Sequence, residues 1–156
     1  MIFYYLDASA WIKRYYAEEG TAWVQGVFAQ KPVFACASLG LIEVTATLSR
    51  KRKAHEITYP QFMQKIVELE DDWGRFIQIQ MTEEVVSLAK ELTKKLFLRG
   101  ADSVHMASAL ILQKRFEKDD DRLIIIASDN ELKAAARTLG IEVTDPIDEK
   151  VLGKTL

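Results

Sequence analysis

Apolar and polar positions follow two rhythms along this chain, and the changes of rhythm mark out its elements. Ile2–Leu6 is an unbroken apolar and aromatic run, the pattern of a strand covered on both faces. Leu123–Ala127 repeats that pattern far downstream. Shorter runs at Lys31–Ala35, Phe76–Met81 and Ile141–Val143 read as further strands, the first with Pro32 near its start, where a missing N–H is tolerated. The intervening segments read as helices. One runs from Asp7 through Trp11 to Tyr16 and stops at Gly20; Thr21 caps a second through Val27 and Phe28. Ser38 caps a third, with Leu41, Val44 and Leu48 on one face. Thr58 and Gln61 have capping-box spacing and open a helix to about Trp73. Thr82, followed by Glu83 and Glu84, opens another that Gly100 ends, and Asp102 heads one through Leu112. Asp119-Asp120-Asp121 reads as a solvated loop, and Asp129-Asn130 leads into a helix over Leu132–Leu139 that Gly140 closes. Strands alternating with helices predict an α/β fold of three layers, α/β/α, around a mostly parallel central sheet.

Length and composition narrow the class further. A chain of 156 residues with 49% hydrophobic and 28% charged positions has enough apolar material for one domain, expected over residues 1–156 with the tail 145–156 left open. Its net charge of −2 supplies no global attraction to a polyanion, so nucleic acid binding would need local clusters or a bound divalent cation that reverses the local sign. The single cysteine, Cys36, excludes an intrachain disulfide. The opening residues lack a basic leader, and no apolar run approaches the roughly 20 residues of a membrane span. The cytoplasm is the expected location, with no membrane contact.

The chemistry lies in four carboxylates. Asp7 immediately follows the first buried strand, and Asp129 follows the later one after a single serine. If both strands are central and parallel, their acids share the crevice beyond the carboxyl ends, where α/β sheets hold ligands. Asp102 opens a third helix, and Glu43 lies one turn into a fourth, among Leu39, Leu41, Ile42 and Val44. Carboxylates gathered there raise one another's pKa, and a hard divalent cation with oxygen ligands, Mg2+ or Mn2+, relieves the repulsion. Such an ion lowers the pKa of a bound water and neutralises charge developing on a phosphodiester. The only histidines, His55 and His105, sit in segments not expected to meet, so metal-assisted hydrolysis fits better than a paired-histidine mechanism.

These residues carry a resemblance. Tyr5-Leu6-Asp7-Ala8-Ser9-Ala10, Leu41-Ile42-Glu43-Val44, Ala101-Asp102-Ser103-Val104-His105-Met106-Ala107-Ser108-Ala109 and Ala127-Ser128-Asp129-Asn130-Glu131-Leu132 resemble, in order, the motifs of the PIN domain. The nearest likeness is to VapC-like toxins of prokaryotic toxin–antitoxin modules, over residues 1 to about 144. The resemblance implies that Asp7, Glu43, Asp102 and Asp129 form a metal site, with Ser9 supporting the first aspartate or the phosphate. It further implies endoribonuclease activity on an RNA substrate, a homodimer and inhibition by a cognate antitoxin.

Simpler readings stand beside these. Asp7, Asp102 and Asp129 are each ordinary helix caps taken singly, and Ser9 is an ordinary local hydrogen bonder. Lys13, Arg14 and Arg99 are candidate phosphate contacts, whereas Arg50-Lys51-Arg52-Lys53 reads first as a solvated helix end complementing its dipole. His105 reads as packed or supporting, outside the catalytic set. Two rival functions remain: a catalytically silent RNA- or partner-binding module of the same fold, and a phosphatase with Asp7 as covalent nucleophile. The phosphatase pattern wants a second acid two positions on, and that position is Ser9.

Overall fold

The computed structural model describes residues 1–116 and 120–151. Five strands, β1 (Ile2–Leu6), β2 (Val33–Ala37), β3 (Ile77–Ile79), β4 (Arg122–Ile126) and β5 (Glu142–Thr144), form one sheet in the order β3-β2-β1-β4-β5. Every pairing is parallel. Parallel neighbours need crossovers, and these are supplied by α1 (Ala8–Trp11), α2 (Thr21–Ala29), α3 (Ser38–Lys53), α4 (Tyr59–Trp73), α5 (Glu83–Leu96), α6 (Gly100–Arg115) and α7 (Asn130–Thr138); α8 (Pro146–Val151) follows β5.

The continuous apolar strands are explained by two cores. Phe3, Tyr5, Leu123 and Ile125 point to one face and pack with Val85, Leu92, Met106, Leu112 and Leu132 of α5, α6 and α7. The alternate residues Leu6, Phe34, Cys36 and Ile126 meet Trp11, Val27, Val44, Leu48 and Leu69 on the other face. Both faces are therefore dry, and period-2 alternation of polarity disappears from β1 and β4. The expected three layers are present.

Strand order positions the site. From β1 the chain proceeds to β2 and β3 on one side, then crosses back to β4 on the other side of β1. The β1–β4 border is thus the point where the winding reverses, and a crevice opens beyond the carboxyl ends of these two strands. Asp7 N–H extends their ladder by donating to the Ile126 carbonyl at 3.0 Å.

Several boundaries differ from the sequence expectation. The first helix is only one turn, continued by a 3-10 turn at Ile12–Arg14. Gly20, at φ 90°, is the N-cap of α2, and Thr21 is its first residue. Strand β2 sits two residues later than expected, and Ala37 rather than Ser38 caps α3. The capping box of α4 is present, with Thr58 and Gln61 exchanging bonds of 3.3 and 2.8 Å. Helix α5 ends at Leu96 because Phe97 turns left-handed, at φ 56°. Gly100 therefore begins α6 instead of ending α5, and Asp102 lies in the first turn of α6. The tail after β5 contributes α8. Asp119 of the acidic loop and residues 152–156 lie outside the described residues. Among the described residues no helix is long and apolar enough to cross a membrane.

Candidate functional site

Asp7 ends β1 and is almost wholly buried. Its Oδ2 accepts from the Ser9 N–H at 3.2 Å, as a helix cap does, and from the Ser9 hydroxyl at 2.5 Å. The same hydroxyl oxygen accepts the N–H groups of Ser128 at 3.0 Å and Asp129 at 3.3 Å. One serine thus ties the loop after β1 to the loop after β4. Asp129 caps α7, its Oδ1 accepting from Leu132 N–H at 3.0 Å. The simple reading of Asp7 and Asp129 as caps is correct, and they do more besides.

The other oxygen of Asp129 accepts from Arg99 Nη2 at 2.8 Å, while Arg99 Nε donates to Asp102 at 3.1 Å and lies 3.3 Å from Glu131. A single exposed guanidinium, at the N-cap of α6, therefore spans two of the four acids. Asp102 is buried, and its pKa is raised by desolvation and by the nearby Asp129 charge, against the pull of Arg99.

Glu43 and Asp7 share a second partner. His105, with 1% of its surface exposed, brings Nε2 to 2.5 Å from Glu43 Oε1 and 3.6 Å from Asp7 Oδ1. Its Nδ1 lies 2.8 Å from the Tyr5 hydroxyl, which also accepts the Ala37 N–H at 3.2 Å. Burial works against a charged imidazole, but Tyr5, Cys36, Glu43 and Asp7 around the ring outweigh it and raise the His105 pKa well above its ordinary value. The four acids are accordingly held as two pairs, each with a resident nitrogen base between its members.

All four predicted acids thus join one network at the switch point. The expected mutual repulsion is moderated by Arg99 and His105. The sequence reading of His105 as a packed or supporting residue agrees with its place here, buried and in contact with Glu43 and Asp7. Lys13 and Arg14 require correction as phosphate candidates. Lys13 is buried against Glu18 at 2.9 Å, and Arg14 turns to Asp72 at 3.3 Å and stacks over Phe28, because the 3-10 turn rotates both away from Asp7. Arg50, from the basic run, instead lines a cavity of about 420 Å³ with Ser9, Ile42, Glu43 and Thr47. Lys51 and Arg52 lie over the rings of Tyr16 and Tyr59.

Among the described residues no three acid, histidine or cysteine groups are gathered tightly enough to make a ready-formed metal cage. The donor set is nonetheless hard oxygen throughout, and cationic or basic nitrogens occupy the spaces between donors. Those are the spaces where positive charge is stabilised, which suits a hard cation that retains part of its water.

A parallel five-stranded sheet between helical layers, with acids at the carboxyl ends of its central pair, is a three-layer α/β/α fold with a PIN-like arrangement. The likeness to VapC-like proteins read from the motifs holds along most of the chain. The chain is 29% identical over 139 residues to "Ribonuclease VapC45" and "Ribonuclease VapC49" of Mycobacterium tuberculosis, covering 89% of this chain and 92% of theirs. Among solved structures it resembles VapBC2 from Rickettsia felis bound to a promoter DNA fragment, at TM-score 0.62 and 15% identity over 93% of this chain and 98% of that one. A toxin–antitoxin complex from Klebsiella pneumoniae matches at TM-score 0.61 and 17% identity, over 91% and 96%. No family model matches the chain.

Proposed function

We propose that this protein is a metal-dependent endoribonuclease acting as the toxin of a toxin–antitoxin pair. The observation that carries the reading is the linked quartet of Asp7, Glu43, Asp102 and Asp129 at the β1–β4 border. Its company is relatives named as VapC ribonucleases and neighbours in fold solved as toxin–antitoxin complexes.

Asp7, Asp102, Asp129 and Glu43 are the residues that would hold Mg2+ or Mn2+. Bound there, the ion supplies a water of lowered pKa and neutralises charge on the phosphodiester. The remaining work belongs to side chains of this chain. Ser9 fixes Asp7 against the β4 loop. Glu43 either completes the metal's shell or orients the attacking water as its general base. Arg50 offers its guanidinium to a backbone phosphate from the cavity beside Glu43. Arg99, two-thirds exposed, exchanges Asp102 and Asp129 for phosphate when positive charge is supplied to those acids from elsewhere. In-line attack leaves 5′-phosphate and 3′-hydroxyl ends. An RNA substrate implies action in the cytoplasm. The partners proposed are a cognate antitoxin and a second copy of the chain.

The test is cleavage of a mixed RNA pool with and without EDTA, alongside Asp7→Asn and Glu43→Gln. Loss of about 10²-fold or more in each variant is expected, together with a rise in melting temperature on adding Mn2+ to the wild type, since only the folded site binds. EDTA-insensitive cleavage, or full activity of Asp7→Asn, refutes the reading. A neighbouring open reading frame for a short DNA-binding protein that co-purifies with this chain tests the antitoxin.

A further inference from the structure

The mechanism above leaves one buried arrangement unused. Glu43 is a third exposed along its side chain, rises from a helix and has no backbone donor to fix it. Its hydrogen-bond partner is a histidine 62 residues away on α6, enclosed at every point. That histidine is itself anchored. The Tyr5 hydroxyl accepts from the Ala37 backbone and faces Nδ1, so the ring cannot slide along its own plane. The Tyr5 and His105 rings meet edge-on, with centroids 5.9 Å apart. Gly40 completes the slot: a Cβ there would overlap Cys36 Sγ and come within 3.3 Å of His105 Cε1. Whether the imidazole is neutral or charged, a carboxylate facing Nε2 requires the hydrogen to be on Nε2.

We propose that His105 is a positioning residue, held by Tyr5 and the Gly40 slot, that fixes the Glu43 carboxylate against Asp7 so that both can serve one cation. The inference rests on the metal-centre reading and deepens it, by assigning to α6 a second contribution besides Asp102. Carboxylates and histidines that only support metal ligands are commonly worth 10–100-fold in affinity or activity, and the cause here is concrete. Without Nε2–H, Glu43 is a mobile surface side chain, and a hard cation must pay its ordering entropy.

The experiment is a Mn2+ titration of the RNA-free protein by calorimetry, with metal-free melting recorded for each variant. His105→Leu is expected to weaken Mn2+ binding about 10–100-fold, and His105→Gln, which returns an N–H near the Nε2 position, to recover most of it. Combining His105→Leu with Glu43→Gln should bind no more weakly than Glu43→Gln alone. Wild-type affinity in His105→Leu, or losses that simply multiply in the double variant, overturns the proposal. If His105→Leu fails to fold cooperatively, Tyr5→Phe and His105→Gln decide it: loss in the first and retention in the second support the proposal, and the reverse overturns it. Wild-type Mn2+ affinity in both Asp7→Asn and Glu43→Gln would instead remove the metal centre, and this inference with it.

Discussion

Ser9→Ala isolates the tie between the two halves of the site. The hydroxyl donates at 2.5 Å to Asp7 and accepts from two backbone N–H groups at 3.0 and 3.3 Å. Removing it costs one hydrogen bond to a charged group, worth about 1.5–3 kcal/mol net, and leaves two donors seeking a new acceptor. Asp7 keeps the Ser9 N–H at 3.2 Å, and the site is half-buried, so water replaces part of what is lost. The expected destabilisation is about 2 kcal/mol. For a chain of this length each kcal/mol moves the midpoint by about 2–4 °C, which gives a fall of roughly 4–8 °C by calorimetry in metal-free buffer. Ser9→Thr keeps a hydroxyl on the same carbon and should recover a large share. A Ser9→Ala midpoint within about 1 °C of wild type would show that the three bonds are not coupled to folding, and the account of how β1 and β4 are joined would be wrong.

Two further outcomes are expected elsewhere. Asp145 is buried with Lys133 at 2.5 Å and also accepts from the Ser128 hydroxyl and the Ile147 N–H. Burial alone would raise its pKa, but those partners pull it below the ordinary carboxylate value, so its stabilisation is complete above about pH 4 and is lost as pH falls through the lower native value. Asp145→Asn should cost about 3 kcal/mol at pH 7 by leaving Lys133 buried and unpaired, and flatten the acid limb of a denaturant stability profile; an unchanged limb refutes the assignment. Ser108 is fully buried, and its hydroxyl has no partner among the described residues. Ser108→Ala should be neutral or stabilise by up to about 1 kcal/mol, and a loss larger than that in urea unfolding would reveal a bond not accounted for.

The architecture was largely readable in the sequence because β1 and β4 are covered on both faces, which leaves long apolar runs, and because Thr58 and Thr82 cap by side-chain oxygens. Where the backbone ends an element without such chemistry, reading failed. Phe97 adopts a left-handed conformation that glycine would ordinarily occupy, so Gly100 was taken for the terminator. Asp7, Asp102 and Asp129 were readable from their place at strand ends and helix starts, and Glu43 from its apolar company within α3. Their partners were not. Arg99 reaches Asp129 across 30 residues and His105 reaches Glu43 across 62, and no local periodicity reports such pairings. Lys13 and Arg14 failed for a related reason: closeness to Asp7 along the chain says nothing once a tight turn rotates them to Glu18 and Asp72.

The adjacency of β1 and β4 has a consequence for biosynthesis. Tyr5 pairs with Ile125, so β1 leaves the ribosome well ahead of β4 and waits unpaired on that side until β4 has emerged. A nascent or proteolysed fragment stopping short of residue 122 owns Asp7, Glu43 and Asp102 yet lacks the strand that brings Asp129. The centre is withheld until β4 and the loop after it have been made, a delay written into the order of the strands.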